Sequence, residues 1–176
     1  MKPFDALVCM LFLGLSSVAD AQPAPADPLP RGSVAFLGIT FLDTSTEGAY
    51  FGARADEAER VMLLEETARA RFEKEGFTLL DTAPVAQTLE ATVNPANCYG
   101  CELRMGQTLG ADYVLVGEVQ KVSNLILSMN LVLRETRTGD MVRGRSVDIR
   151  SNTDESWLRG VRYILKNHFF ETGDVQ

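Results

Sequence analysis

The spacing of apolar residues changes three times along this 176-residue chain. Residues 34–42 (VAFLGITFL) are apolar at almost every position and rich in branched and aromatic side chains. That pattern predicts a strand buried on both faces. Residues 43–52 (DTSTEGAYFG) are polar and bear glycine, which predicts a loop. From Asp56 the period becomes three to four. Val61, Leu64, Ala68 and Phe72 share one side, while Glu65, Glu66, Arg69, Arg71 and Lys74 fill the other. Asp56 and Glu59 have capping-box spacing, and Gly76 stands where a left-handed cap ends a helix. Residues 77–80 then read as a short strand. Pro84 opens a short helix to about residue 92, and Asn94–Pro95 breaks it. A two-turn helix carrying Leu103 and Leu109 follows, closed by Gly110.

The last third alternates with period two. Residues 112–120 (DYVLVGEVQ) predict a strand. Residues 125–135 put Leu125, Leu127, Met129, Leu131 and Leu133 on one face. Residues 122–124 can turn the chain between them, and residues 136–140 make a second turn with Gly139 available for positive φ. Residues 141–149 complete a three-stranded antiparallel meander. Asn152 and Glu155 are spaced as a capping box, and Trp157, Val161, Ile164, Leu165 and His168 mark one face of a closing helix. The expected fold is α+β: a mixed sheet ending in the meander, with helices packed on one face. No internal repeat is visible.

The N-terminus changes how the rest is read. A basic Met1–Lys2 start, an apolar run over residues 6–18 and the small residues Ala19 and Ala21 predict a signal peptide over residues 1–21. Cys9 lies inside that run after Ala-Leu-Val, not in a lipidation context, so it leaves with the signal. Residues 22–32 begin QPAPADPLP, four prolines in nine positions, and read as an extended tether. One domain over residues 33–170 and a flexible tail over 171–176 complete the organisation. No later stretch approaches the roughly 20 apolar residues of a membrane span. Export places the chain in the periplasm. Without residues 1–21 it keeps 16 basic and 22 acidic side chains, a formal charge of −6. That balance argues against nucleic acid or an anionic membrane as the partner.

Export also leaves two cysteines, Cys98 and Cys101, in a C-x-x-C. Outside the cytosol an even pair is a disulfide by default. A thioredoxin-like site would want a βαβ context and a proline facing the disulfide, and all 7 prolines lie at or before Pro95. Structural zinc needs four ligands, and only His168 could join the two sulfurs. A lone histidine on an apolar helix side reads as a hydrogen-bonded core residue. Covalent haem would need histidine at position 102, which is glutamate. The pair therefore reads as a structural disulfide. A thiol-redox or copper(I)-handling role remains the alternative. The carboxylates fall on helix surfaces and caps, and no glycine loop has a phosphate-binding pattern. No catalytic residue, metal or cofactor is expected.

One asymmetry points to a surface. Residues 33–110 carry 12 acidic and 6 basic side chains, whereas residues 134–170 carry 8 basic and 5 acidic. Arg134, Arg137, Arg143, Arg145 and Arg150 gather in the second hairpin. Such charges guard sheet edges, and they also suit docking of an acidic partner protein. Arg134, Arg143, Arg145 and Arg150 are the candidate partner-binding residues.

Residues 110–119 (GADYVLVGEV) and 129–140 (MNLVLRETRTGD) resemble the N-terminal domain of TolB and the periplasmic domain of curli-type secretion channels. More closely, residues 120–127 (QKVSNLIL), the Cys98/Cys101 pair and residues 146–157 (SVDIRSNTDESW) resemble a family of predicted secreted proteobacterial proteins of unknown function. Members of that family are often linked with PQQ-dependent alcohol or methanol oxidation. The resemblance implies an α+β module that binds other envelope proteins, and it supplies no catalytic residues to carry over. The expectation is a non-catalytic periplasmic accessory protein that binds or helps assemble an envelope partner.

Overall fold

The computed structural model describes residues 28–170; the expected signal peptide, the first part of the expected tether and the expected tail over 171–176 lie outside them. Five strands, β1 (Ser33–Asp43), β2 (Thr78–Leu79), β3 (Tyr113–Ser123), β4 (Ile126–Glu135) and β5 (Met141–Arg150), form one sheet in the order β2-β1-β3-β4-β5. β1 runs parallel to both β2 and β3, while β3, β4 and β5 form the antiparallel meander. The helices are α1 (Thr46–Phe51), α2 (Ala55–Lys74), α3 (Ala86–Glu90), α4 (Cys101–Leu109) and α5 (Asp154–Ile164), the last continued by a π-helical segment over Leu165–Phe170. This is the expected α+β mixed sheet.

The two long helices pack on one face. Leu64, Ala68 and Phe72 of α2 meet Val34, Phe36 and Ile39 of β1, while Trp157, Val161 and Ile164 of α5 meet Leu127, Met129 and Leu131 of β4. A second, smaller core adds cover on the opposite face of β1 and β3 only. There Met105 of α4 and Val85 pack on Ala35, Leu37, Val114 and Val116. Gly106 lets α4 approach so closely, because a side chain there would run into Val114 Cγ2. β1 is thus buried on both faces, as its unbroken apolar run requires, whereas β4 and β5 are covered on one.

A bulge interrupts β1. Its register against β3 shifts between Phe36 and Ile39, where Gly38 has φ 95°. The Ile39 amide instead donates to Glu65 Oε1 at 2.8 Å. Glu65 therefore belongs to the sheet-facing half of α2, not to its solvent side.

Several local expectations need correction. Residues 43–52 contain a helix: Ser45 caps it by accepting from the Gly48 amide at 3.0 Å, and Asp43 in turn accepts from the Ser45 amide. α2 has no capping box. Its N-cap is Arg54, and Asp56 is engaged by Arg54 and Arg60 instead of a backbone amide. Thr153, not Asn152, caps α5: Asn152 Oδ1 accepts from Arg60, and its side-chain amide donates to Glu57. Val122 and Ser123 stay in β3, so the first meander turn falls at Asn124–Leu125 and leaves Leu125 exposed, off the buried leucine face. Gly76 and Gly110 do cap their helices with positive φ.

Candidate functional site

Three clusters could carry function: the disulfide turn, a buried ion cluster, and the β5 edge.

Cys98 follows a 3-10 turn over Pro95–Asn97 that Asn94 caps through the Ala96 amide, and Cys101 is the first residue of α4. The backbone between them turns left-handed at Tyr99 (φ 54°) and Gly100 (φ 86°). That reversal brings the two Cα atoms to 5.4 Å, and the sulfurs are bonded at 2.00 Å. Tyr99 carries the exposed tip of the turn. Buried Glu102, one residue on, sets its Oε2 3.2 Å from Cys98 Sγ and its Oε1 3.8 Å from Arg134 Nε. A disulfide sulfur has no proton to give, so the Cys98 contact is not a hydrogen bond. Cys98, Cys101 and Glu102 hold their donor atoms within 4.8 Å of one another. In the bonded state the sulfurs are neither nucleophiles nor thiolate ligands.

The second cluster was not singled out from the sequence. Lys121 at the end of β3 places Nζ 2.7 Å from Glu57 Oε1 of α2 and 3.0 Å from Asp43 Oδ2 of β1. Asn152, just before α5, donates to the same Glu57 oxygen at 2.7 Å. Burial by itself would lower the Lys121 pKa, but hydrogen bonds to Glu57 and Asp43 outweigh it and hold the ammonium above its usual value. Burial likewise opposes charge on Asp43, yet bonds from the Ser45 hydroxyl and amide and from Lys121 keep that carboxyl below the usual range. Lys121 and Asp43 are thus held in their charged forms. Although Glu57 Oε2 has no hydrogen-bond partner among the described residues, the cluster is a clamp between β1, β3, α2 and the start of α5. A polar-to-apolar alternation could have exposed it: Lys121 stands at a core-phase position of β3, two residues after Val119.

Strand alternation divides the predicted arginines. Arg143 and Arg145 lie opposite Leu133 and Leu131 and so share the helix-covered face. Arg150 lies opposite Ile126 on the other face, seven residues away, or about 23 Å along an extended strand. Arg134 reaches back to Glu102 and donates to the Gly139 carbonyl at 3.0 Å, and Arg137 pairs with Glu135 in the exposed turn. Arg143 donates to the Val142 carbonyl at 2.8 Å. Only Arg143 and Arg145 form a common patch. Beside them, between β5 and α5, runs a groove of about 350 Å³ lined by Val147, Ile149, Ser156, Arg159, Gly160 and Tyr163. His168 is half-buried in the π-helical segment with its ring 5.4 Å from that of Tyr163, far from a ligand set.

A family described as "Protein of unknown function (DUF2380)" matches residues 32–169, nearly the whole folded part. The chain belongs to that family. Among curated protein sequences none matches it. Among solved structures it is similar to the LpoB C-terminal domain from Salmonella enterica, at 17% identity and a TM-score of 0.51, covering 72% of this chain and 88% of that one. It is also similar to the lipoprotein GNA1162 from Neisseria meningitidis, at 17% identity and a TM-score of 0.48, covering 69% and 82%. At such identities the likeness is one of fold. Among the described residues no helix is long and apolar enough to cross a membrane.

Proposed function

We propose that this DUF2380-family chain is a non-catalytic periplasmic accessory protein that binds or helps assemble an envelope partner, with a quinoprotein alcohol-oxidation system as the candidate partner. The observation that carries this reading is the basic outer strand. Arg145 and Arg150 lie on this strand with no ion-pair partner among the described residues. Cations left unmatched on the edge of an acidic protein suit an acidic surface on another protein. The disulfide turn and the buried ion cluster both support stability without offering a reactive group. In-cell crosslinking from position 145, compared with the Arg143→Glu/Arg145→Glu chain, tests the reading. Capture of one envelope protein that is lost on charge reversal supports it, and unchanged capture returns the arginines to a solvated edge.

One observation favours a second reading, a thiol-redox or copper-handling factor. Reduction of the disulfide would free two thiols beside the buried Glu102 carboxylate, three donors already within 4.8 Å. Thiol titration and metal analysis of protein taken from the periplasm separate the two readings: reduced, copper-loaded cysteines support this one.

A further inference from the structure

We infer that the outer edge of β5 and the groove beside α5 receive an extended acidic segment of a partner protein as a sixth strand. This deepens the binding reading above and rests on it.

β5 is ten residues long and, among the described residues, pairs with β4 alone, so a row of its backbone groups faces outward. The opposite edge, β2, is only two residues long. An exposed edge of this length is a template for strand addition. What distinguishes β5 from a bare edge is the surface next to it. Val147 and Ile149 on its helix-covered side and Gly160 and Tyr163 of α5 make a groove of about 350 Å³ alongside the strand. Gly160 faces that groove: a Cβ there would touch Ile149 Cδ1 at 3.4 Å, an ordinary contact, so a larger side chain would occupy the space beside it. Side chains of an added strand alternate between faces, so every second one would drop into this apolar groove.

Charge chooses the occupant. Arg159 of α5 lines the groove, Arg145 continues the groove-side face of β5, and Arg162 lines the adjoining hollow on α5. Asp148 and Arg150 border the groove but alternate to the other face of the strand. The Arg159–Glu155 contact, at 3.6 Å between two exposed side chains, holds Arg159 weakly. A second copy of this chain is a poor fit. Edge-to-edge pairing brings same-face residues together, so Arg143 and Arg145 would meet each other, while Asp148 points to the opposite face. A segment whose groove-side positions are apolar beside Val147 and Ile149 and acidic where they pass Arg145 and Arg159 satisfies both groove and rim.

The test uses the full chain and two labelled ten-residue peptides with valine at two successive same-face positions and, at the flanking positions of that same face, Glu in one and Lys in the other, read by fluorescence anisotropy. The Glu/Val peptide should bind saturably and the Lys/Val peptide should not. Arg145→Glu/Arg159→Glu should weaken binding about tenfold or more, as expected for opposed charges across an interface. Gly160→Leu, which fills the groove without changing charge, should do the same, with circular dichroism confirming the fold of each variant. Equal binding of both peptides, or binding untouched by both variants, overturns the inference. So does a photo-crosslinker at Ser146 that joins two copies of the chain. A partner captured from another face, such as Tyr99, while the edge stays silent would remove this site and leave the binding reading standing. No capture from any face would remove both.

Discussion

Lys121 of β3 and Glu57 of α2, 64 residues apart, meet at 2.7 Å with both side chains sealed from water. Neither charge could be buried alone, since an unpaired buried ion costs several kcal/mol. Lys121 also holds Asp43, so the two carboxylates depend on one ammonium. Lys121→Met should therefore destabilise the protein by about 3–5 kcal/mol in urea unfolding, because it strands Glu57. Glu57→Gln should cost less, since Lys121 keeps Asp43 and Asn152 can still bond the amide oxygen. A Glu57→Gln loss as large as that of Lys121→Met would show that the ammonium does not serve both partners.

The same cluster sets a pH dependence. Asp43 is depressed in the folded state, so its contribution is fully present above the unfolded carboxylate pKa of about 3.9 and is lost as pH falls through its folded value. Asp112 behaves alike, held down by bonds from the Ser33 amide and hydroxyl. Lys121 is raised, so its contribution is fully present below about pH 10.4 and disappears as pH climbs through its folded value. Urea midpoints measured against pH should fall at both extremes. Asp43→Asn should flatten the acid limb; a curve that keeps the parent's shape there would exclude Asp43 as its source.

Trp157 is fully buried, with its ring 5.5 Å from that of Phe41. It anchors α5 on the sheet, and its fluorescence should be blue-shifted and poorly quenched by iodide. Trp157→Ala should cost about 3–5 kcal/mol. The indole N–H has no acceptor among the described residues, so Trp157→Phe gives up area without stranding a partner and should cost less than the alanine change. Red-shifted emission with free quenching would contradict this placement.

The disulfide closes a loop of four residues. By loop entropy Cys98→Ser/Cys101→Ser should lose at most about 2 kcal/mol, with an unchanged circular dichroism spectrum. A variant this stable that nevertheless fails to capture its partner would move the weight to the thiol reading.

How much of this was legible from residues depended on the range of the interaction. The apolar run at residues 34–42, the three-to-four spacing through Phe72 and the alternation from Leu127 to Leu133 fixed the main strands and helices, because burial of a face imposes its period on the chain directly. Gly76 and Gly110 marked helix ends, since the left-handed backbone needed there selects glycine. Caps were less legible. Asp56 and Asn152 have the right residue types, but Arg54 and Arg60, within about one turn of Asp56, and Glu57, far from Asn152 in sequence, claimed their side chains first.

Local spacing and apolar period were enough to give the α+β class, the closing meander, the buried tryptophan stripe and the sulfur pair. Packing and strand register placed Lys121, Glu57 and Asp43 in one buried cluster, set Glu102 against the disulfide, and kept five neighbouring arginines from forming one patch. Those outcomes depend on register: moving one residue along a strand sends a side chain to the other face. Charge spacing in the sequence carries no term for that, whereas the packing of α2 and α5 on the sheet fixes it.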